Sequence, residues 1–151
     1  MGTLKQRLRS DLTDATKARD TLVRDTLRLT LAAVQTTEVA GDTPRELSDD
    51  EVLAVISTEA KKRREAASAY DDGARPELAA AERAEGEVLA RYLPLQLTDA
   101  ELTEIVQTAV ADSGAQGMKQ MGQAMKAAQA VVGRRAEGGR IAAAVRAQLS
   151  G

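Results

Sequence analysis

Tyr92-Leu93-Pro94-Leu95-Gln96-Leu97-Thr98 interrupts a chain that reads as helix on both sides. Pro94 has no backbone N–H for a continuing helix, and its ring pushes Leu93 out of the helical region. Four residues on, Thr98-Asp99-Ala100-Glu101 has the S/T-x-x-E spacing of a capping box, which predicts a new helix start. Leu93, Leu95 and Leu97 make the stretch between apolar, so it is expected to pack between two bodies. The chain is therefore read as residues 1–93, a joint at 94–97, and residues 98–151.

Upstream of the joint, Leu4, Leu8 and Leu12 recur every four residues on a first helix ending near Arg19-Asp20. A second helix, from about Thr21 to Val39, lines up Val23, Leu27, Leu31 and Val34. Gly41-Asp42-Thr43-Pro44 is a turn. Ser48-Asp49-Asp50-Glu51 is a second capping box and opens a helix with the stripe Val52, Val55, Ile56, Ala60, Ala67 and Tyr70. Asp72-Gly73-Ala74-Arg75-Pro76 breaks the chain, and Pro76 suits the first position of a fourth helix through Leu78, Ala81, Val88 and Leu89. Short connections favour antiparallel neighbours, hence an up-down helical bundle over residues 1–93.

Downstream, Leu102, Ile105, Val106, Ala109 and Val110 mark helix five, with Gly114 as its stop. Met118, Met121, Met125, Ala128 and Val132 mark helix six, and Ile141, Ala144, Val145 and Leu149 mark helix seven. The Met stripe is read as core; the alternative is an adaptable binding groove. Three helices in about 54 residues make a small domain of marginal stability.

Composition agrees. The 151 residues are rich in Ala, Leu, Glu and Arg, which favour helix. The only aromatics are Tyr70 and Tyr92. The fold class is all-α. The chain has no Cys and no His, which rules out disulfides, thiolate sites and histidine bases. No metal or cofactor is expected. The six serines lie in no nucleophile motif, and neither a Gly-x-Gly-x-x-Gly nor a Walker A stretch occurs. Catalysis by this chain alone is not expected. No apolar run approaches the roughly 18–20 residues of a membrane span. Lys5, Arg7 and Arg9 are followed by no apolar leader segment, so a cytoplasmic protein is expected.

The formal net charge of −2 hides a gradient. Residues 98–112 hold Asp99, Glu101, Glu104 and Asp112 and no base, whereas residues 113–151 hold Lys119, Lys126, Arg134, Arg135, Arg140 and Arg146 against Glu137 alone. A basic segment on an acidic protein points to a polyanion. Its densest part is Gly133-Arg134-Arg135-Ala136-Glu137-Gly138-Gly139-Arg140. There glycines can expose N–H groups, a helix N-terminus follows, and three guanidinium groups suit phosphate. The alternative is a plain turn with solvated arginines.

Two further groups stand out. Glu59 and Arg63 fall near the centre of the apolar stripe of helix three and are spaced i, i+4. They form either a partly buried ion pair or, with Arg28, a polar pocket between helices. The run Lys61-Lys62-Arg63-Arg64 points around its helix and is read mostly as a solvated face.

Tyr92-Leu93-Pro94-x-Gln96-Leu97-Thr98, Gly117-Met118-x-x-Met121-Gly122-x-x-Met125 and Arg135-Ala136-Glu137-Gly138, in this order and spacing, resemble the YqeY family over essentially the whole chain. The C-terminal part is similar to the tail domain of the B subunit of glutamyl/aspartyl-tRNA amidotransferase. The family's usual Gly-Arg-Ala-Asp-Gly stands here as Arg134-Arg135-Ala136-Glu137-Gly138. Leu27-Arg28 and Arg63 match positions that recur in the family, with no role attached. The resemblance implies a non-catalytic accessory module that binds tRNA through Lys119, Lys126, Arg134, Arg135, Arg140 and Arg146. A partner such as an aminoacyl-tRNA-handling enzyme fits the same reading. The alternative is a helical protein-interaction module with no RNA role.

Overall fold

The computed structural model describes residues 3–150. These residues form seven α-helices and no strand, so the protein is all-α. Backbone contacts divide the chain into two compact units, Met1–Leu93 and Pro94–Gly151. Among the described residues no helix is long and apolar enough to cross a membrane.

The first unit contains α1 (Leu4–Ala18), α2 (Thr21–Glu38), α3 (Asp49–Asp72) and α4 (Pro76–Ala90). Their starts are written locally. Thr3 with Gln6 and Ser48 with Glu51 form capping boxes, Asp20 caps α2 through Val23 N–H, and Pro76 opens α4. Lys5 at the start of α1 pairs with Glu38 at the end of α2 at 2.8 Å, so the two run antiparallel. Asp71 with Arg83, and Arg63 with Glu85, do the same for α3 and α4. The shared core is built from Leu8, Leu27, Val34, Val52, Ile56, Val88 and Leu89, closed by Leu47 and Tyr92.

Long-range polar contacts fix the ends. The Glu38 carboxylate also accepts from Leu47 N–H at 3.1 Å, which holds the connection between α2 and α3. The bond from Lys5, ahead of that from Leu47, keeps the Glu38 carboxyl below its usual range. Arg45 engages both oxygens of Glu51; with the Ser48 N–H it lowers the Glu51 carboxyl to about 2. The Tyr92 hydroxyl donates to Asp11 Oδ2, and the Arg7 guanidinium lies 4.7 Å from the ring centroid. Burial first, then the Asp11 carboxylate, raises the Tyr92 hydroxyl well above its ordinary value.

The second unit contains α5 (Asp99–Ser113), α6 (Met121–Val132) and α7 (Gly138–Ser150), with 3₁₀ turns at Met118–Gln120 and Gly133–Arg135. Thr98 and Glu101 form the expected capping box, and Gly114 takes the left-handed conformation, φ +76°, that ends α5. Leu102, Val106, Val110, Ala124, Ala128, Val132, Ile141 and Val145 form the core.

Three expectations change. The Met stripe is not the centre of the helix six face. Met118 lies in the 3₁₀ turn and is 48 % exposed, and Met121 and Met125 only flank a core of Ala124, Ala128 and Val132. A 3₁₀ turn advances about 120° per residue instead of 100°, which rotates residues before Met121 off the α-helical wheel. On α4, Leu78 and Ala81 are exposed and Ala79 is buried in their place. In the joint, Leu93 packs on the first core and Leu97 on the second, while Leu95 is 92 % exposed. The apolar run is thus not buried as one piece, because each outer leucine is held by the unit its own backbone joins.

Candidate functional site

The six basic residues of the C-terminal unit divide by task. Arg135 turns back on α6: its Nε donates to Val132 O at 3.2 Å and its Nη2 to Val131 O at 2.8 Å. These are terminal carbonyls that the helix leaves without an internal donor. Arg140 donates from Nη2 to Leu97 O and to Asp99 Oδ1, both at 2.8 Å. The backbone completes the same contact, with Leu97 N–H donating to Arg135 O at 2.7 Å and Gln96 Nε2 to Arg134 O at 2.9 Å. The α6–α7 turn therefore holds residues 96–99 in the second unit. Gly133 makes the turn possible, with a φ of +57° and ψ of −131° that side chains rarely adopt.

An open phosphate cradle is not what this turn forms. The guanidinium groups of Arg135 and Arg140 bind protein oxygens. The residue just before α7 is the acid Glu137, whose carbonyl accepts from Ile141 N–H at 3.0 Å. A carboxylate at that position already complements the positive end of the helix.

Lys119, Lys126 and Arg146 differ. All three are exposed, and none makes an ion pair with a described residue. The Ser150 hydroxyl lies 3.8 Å from Met118 Sδ, so the end of α7 reaches the turn that carries Lys119. Arg146 is one helical turn before Ser150, and Lys126 lies midway along α6. The basic groups thus run from the Met118–Gln120 turn to the α6–α7 turn, about 18 Å at 1.5 Å per residue. Neither α6 nor α7 contains an acid. The four acids of the unit other than Glu137 are on α5.

In the first unit, Glu59 is 7 % exposed and meets Lys62 at 3.0 Å and Arg63 at 3.8 Å. Arg63 also meets Glu85 at 2.9 Å and Glu82 at 3.9 Å, both from α4. The Arg63 Nε and Glu82 Oε2 atoms are buried without an aligned hydrogen bond, so the 2.9 Å approach is an ion contact off the N–H direction. Burial, then the neighbouring acids Glu82 and Asp25, raises the Glu85 carboxyl against the opposing pull of Arg63. Arg28 is exposed on α2 and pairs with none of these acids. Glu82 and Glu85 carry no mark in the sequence beyond their i, i+3 spacing beside Gly86, which places them on one face of α4.

Between α2 and α3 runs an open groove of about 540 Å³ lined by Ala33, Thr36, Thr37, Val55, Thr58 and Glu59. The three threonine hydroxyls donate to carbonyls of their own helices. Glu51 and Lys62 line it as well, so the groove has an apolar wall, two carboxylates and one ammonium group. Among the described residues no cluster of acids could hold a metal ion.

No curated protein matches the chain. The family model described as Yqey-like protein matches residues 5–149, so the chain belongs to the YqeY family.

Proposed function

We propose that this protein is a non-catalytic accessory module that binds tRNA with the α6–α7 side of its C-terminal unit. The observation that carries the reading is charge segregation. Lys119, Lys126 and Arg146 are exposed and make no ion pair with a described residue, on helical segments that contain no acid. The resemblance of this part to the amidotransferase B-subunit tail supports tRNA as the polyanion, held for an aminoacyl-tRNA-handling enzyme that supplies the chemistry. Cations strung along a helix pair suit tracking a backbone. With only Tyr70 and Tyr92 available, base stacking contributes little, which favours a folded RNA recognised by shape and phosphate.

The test is a tRNA titration by fluorescence anisotropy at several salt concentrations. Reversing Lys119, Lys126 and Arg146 to Glu is expected to weaken binding at least about 100-fold and to flatten the slope of log K against log salt by about 2–3. The melting temperature should hold, since none of the three makes a hydrogen bond or ion pair with a described residue. Reversing Lys61 and Lys62 on α3 should matter far less. The Arg134, Arg135 and Arg140 set is a poorer probe than the sequence suggests, because Arg135 and Arg140 bind backbone carbonyls and their loss destabilises the unit. Equal effects of the α3 and α6–α7 reversals, or binding insensitive to salt, sink the proposal.

A second reading, a helical protein-interaction module, draws on Leu22 and Leu29. They are 40 % and 51 % exposed and seven residues apart on α2. It prevails if tRNA does not bind at any salt concentration.

A further inference from the structure

The Arg-rich stretch that the sequence offers as a ligand site holds the segment that links the two units, through the Arg140 guanidinium and the Arg134 and Arg135 carbonyls. Gln96, Leu97 and Asp99 are tied to it by four hydrogen bonds: Leu97 N–H to Arg135 O, Gln96 Nε2 to Arg134 O, and Arg140 Nη2 to both Leu97 O and Asp99 Oδ1. Tyr92, on the other side, is tied to Asp11 and Arg7 of α1. Leu93, Pro94 and Leu95 lie between these anchors; Leu93 packs on the first core, and Pro94 and Leu95 are exposed.

The Arg140 contact is the one an outside ligand can reach. Its side chain is 33 % exposed and its carboxylate partner Asp99 is 97 % exposed. Both acceptors use the single nitrogen Nη2, and among the described residues Nε and Nη1 have no hydrogen-bond acceptor. An exposed pair held through one nitrogen is weak. A phosphate offers more charge and a bidentate fit to the same guanidinium. When Nη2 turns to a phosphate oxygen, Leu97 O and Asp99 lose their donor together.

We propose that the α6–α7 turn and residues 96–99 form an anion-sensitive clasp: a phosphate group that engages Arg140 displaces Asp99 and Leu97 O and frees the linking segment. The phosphate is either a free ion or part of an RNA backbone, and the clasp does not require the tRNA reading to hold.

Chymotrypsin cleavage within residues 92–97 reads the clasp, with a small chromogenic substrate reporting any effect on the protease itself. Inorganic phosphate, matched in ionic strength with sodium chloride, is expected to accelerate cleavage of the intact protein several-fold. Arg140→Ala should be cut fast without phosphate and gain nothing from it. Because Arg140→Ala also removes packing, Asp99→Asn provides the independent check. It leaves Arg140 its charge, raises the basal rate about two- to fivefold, and lowers the phosphate concentration needed for half the effect. A parallel arm with tRNA assigns the source: acceleration by tRNA at concentrations where its equivalent of free phosphate does nothing points to an RNA backbone. Acceleration by phosphate alone supports the clasp while leaving the tRNA proposal to its own titration. Cleavage unchanged by both anions, or Asp99→Asn responding to phosphate like the parent, overturns the clasp.

Discussion

Arg63 sits where Glu59 of its own helix and Glu82 and Glu85 of α4 meet, with side chains between 10 % and 28 % exposed. Lys62 also pairs with Glu59. Removing Arg63 strands carboxylates that are already partly desolvated. Arg63→Ala is expected to lower stability by about 3 kcal/mol, the low end for a buried pair losing one partner. Lys61→Ala, at the exposed Lys61–Glu65 pair, should cost about 0–1 kcal/mol. Adding Glu85→Gln to Arg63→Ala should recover part of the loss, since the raised Glu85 carboxyl marks the charge with least compensation. Urea unfolding of the three variants decides it; equal effects at Arg63 and Lys61 would place the network in water. Glu59 and Arg63 were visible in the sequence as charges on an apolar stripe. Their α4 partners were not, because which face of α4 meets α3 depends on packing, and Arg28 was a plausible partner that the packing leaves outside.

Local chemistry explains most helix boundaries, and therefore most of them could be read beforehand. Ser48–Glu51 and Thr98–Glu101 close capping boxes within four residues, Pro76 opens α4 and Gly114 ends α5. The exceptions are places where a residue adopts a conformation its type does not advertise: Arg19 and Ala74 take φ of +58° and +57° at helix ends, a role usually given to Gly. The 3₁₀ turn at Met118–Gln120 likewise shifts a register that periodicity assumed to be continuous. Gly86 yields a prediction at this scale. It lies inside α4, and a Cβ there would meet only the Arg63 Cβ, at an ordinary 3.9 Å. Gly86→Ala is expected to stabilise the protein by about 0.5–1 kcal/mol, seen as a higher melting temperature. A lower melting temperature would mean that α4 and α3 approach more closely than this.

For the molecule as a whole, the linking segment is the informative part. Leu97 packs on the second core, and residues 96–99 are clasped by the α6–α7 turn. A fragment of residues 94–151 is therefore expected to fold as a helical unit and to be about 2 kcal/mol more stable than one of residues 98–151. The shorter piece loses the partly buried Leu97 and the hydrogen bonds of Gln96 and Leu97. Circular dichroism melts of the two fragments test this, and coincident melts would show that the segment adds nothing to the unit.

The all-α class, the break at Pro94 and most helix starts follow from the sequence alone, because each rests on interactions spanning a few residues: a missing N–H, a side chain capping its own helix, a repeat of apolar positions. The basic bias of residues 113–151 is legible for the same reason. Tertiary structure decided which of those cations are available. Arg135 reaches back to α6, and Arg140 binds Leu97 and Asp99 some forty residues away, while Lys119, Lys126 and Arg146 make no ion pair with a described residue. An arginine looks the same in a sequence whether its donors face water or a carbonyl, and only the folded backbone determines which acceptors come within 3 Å.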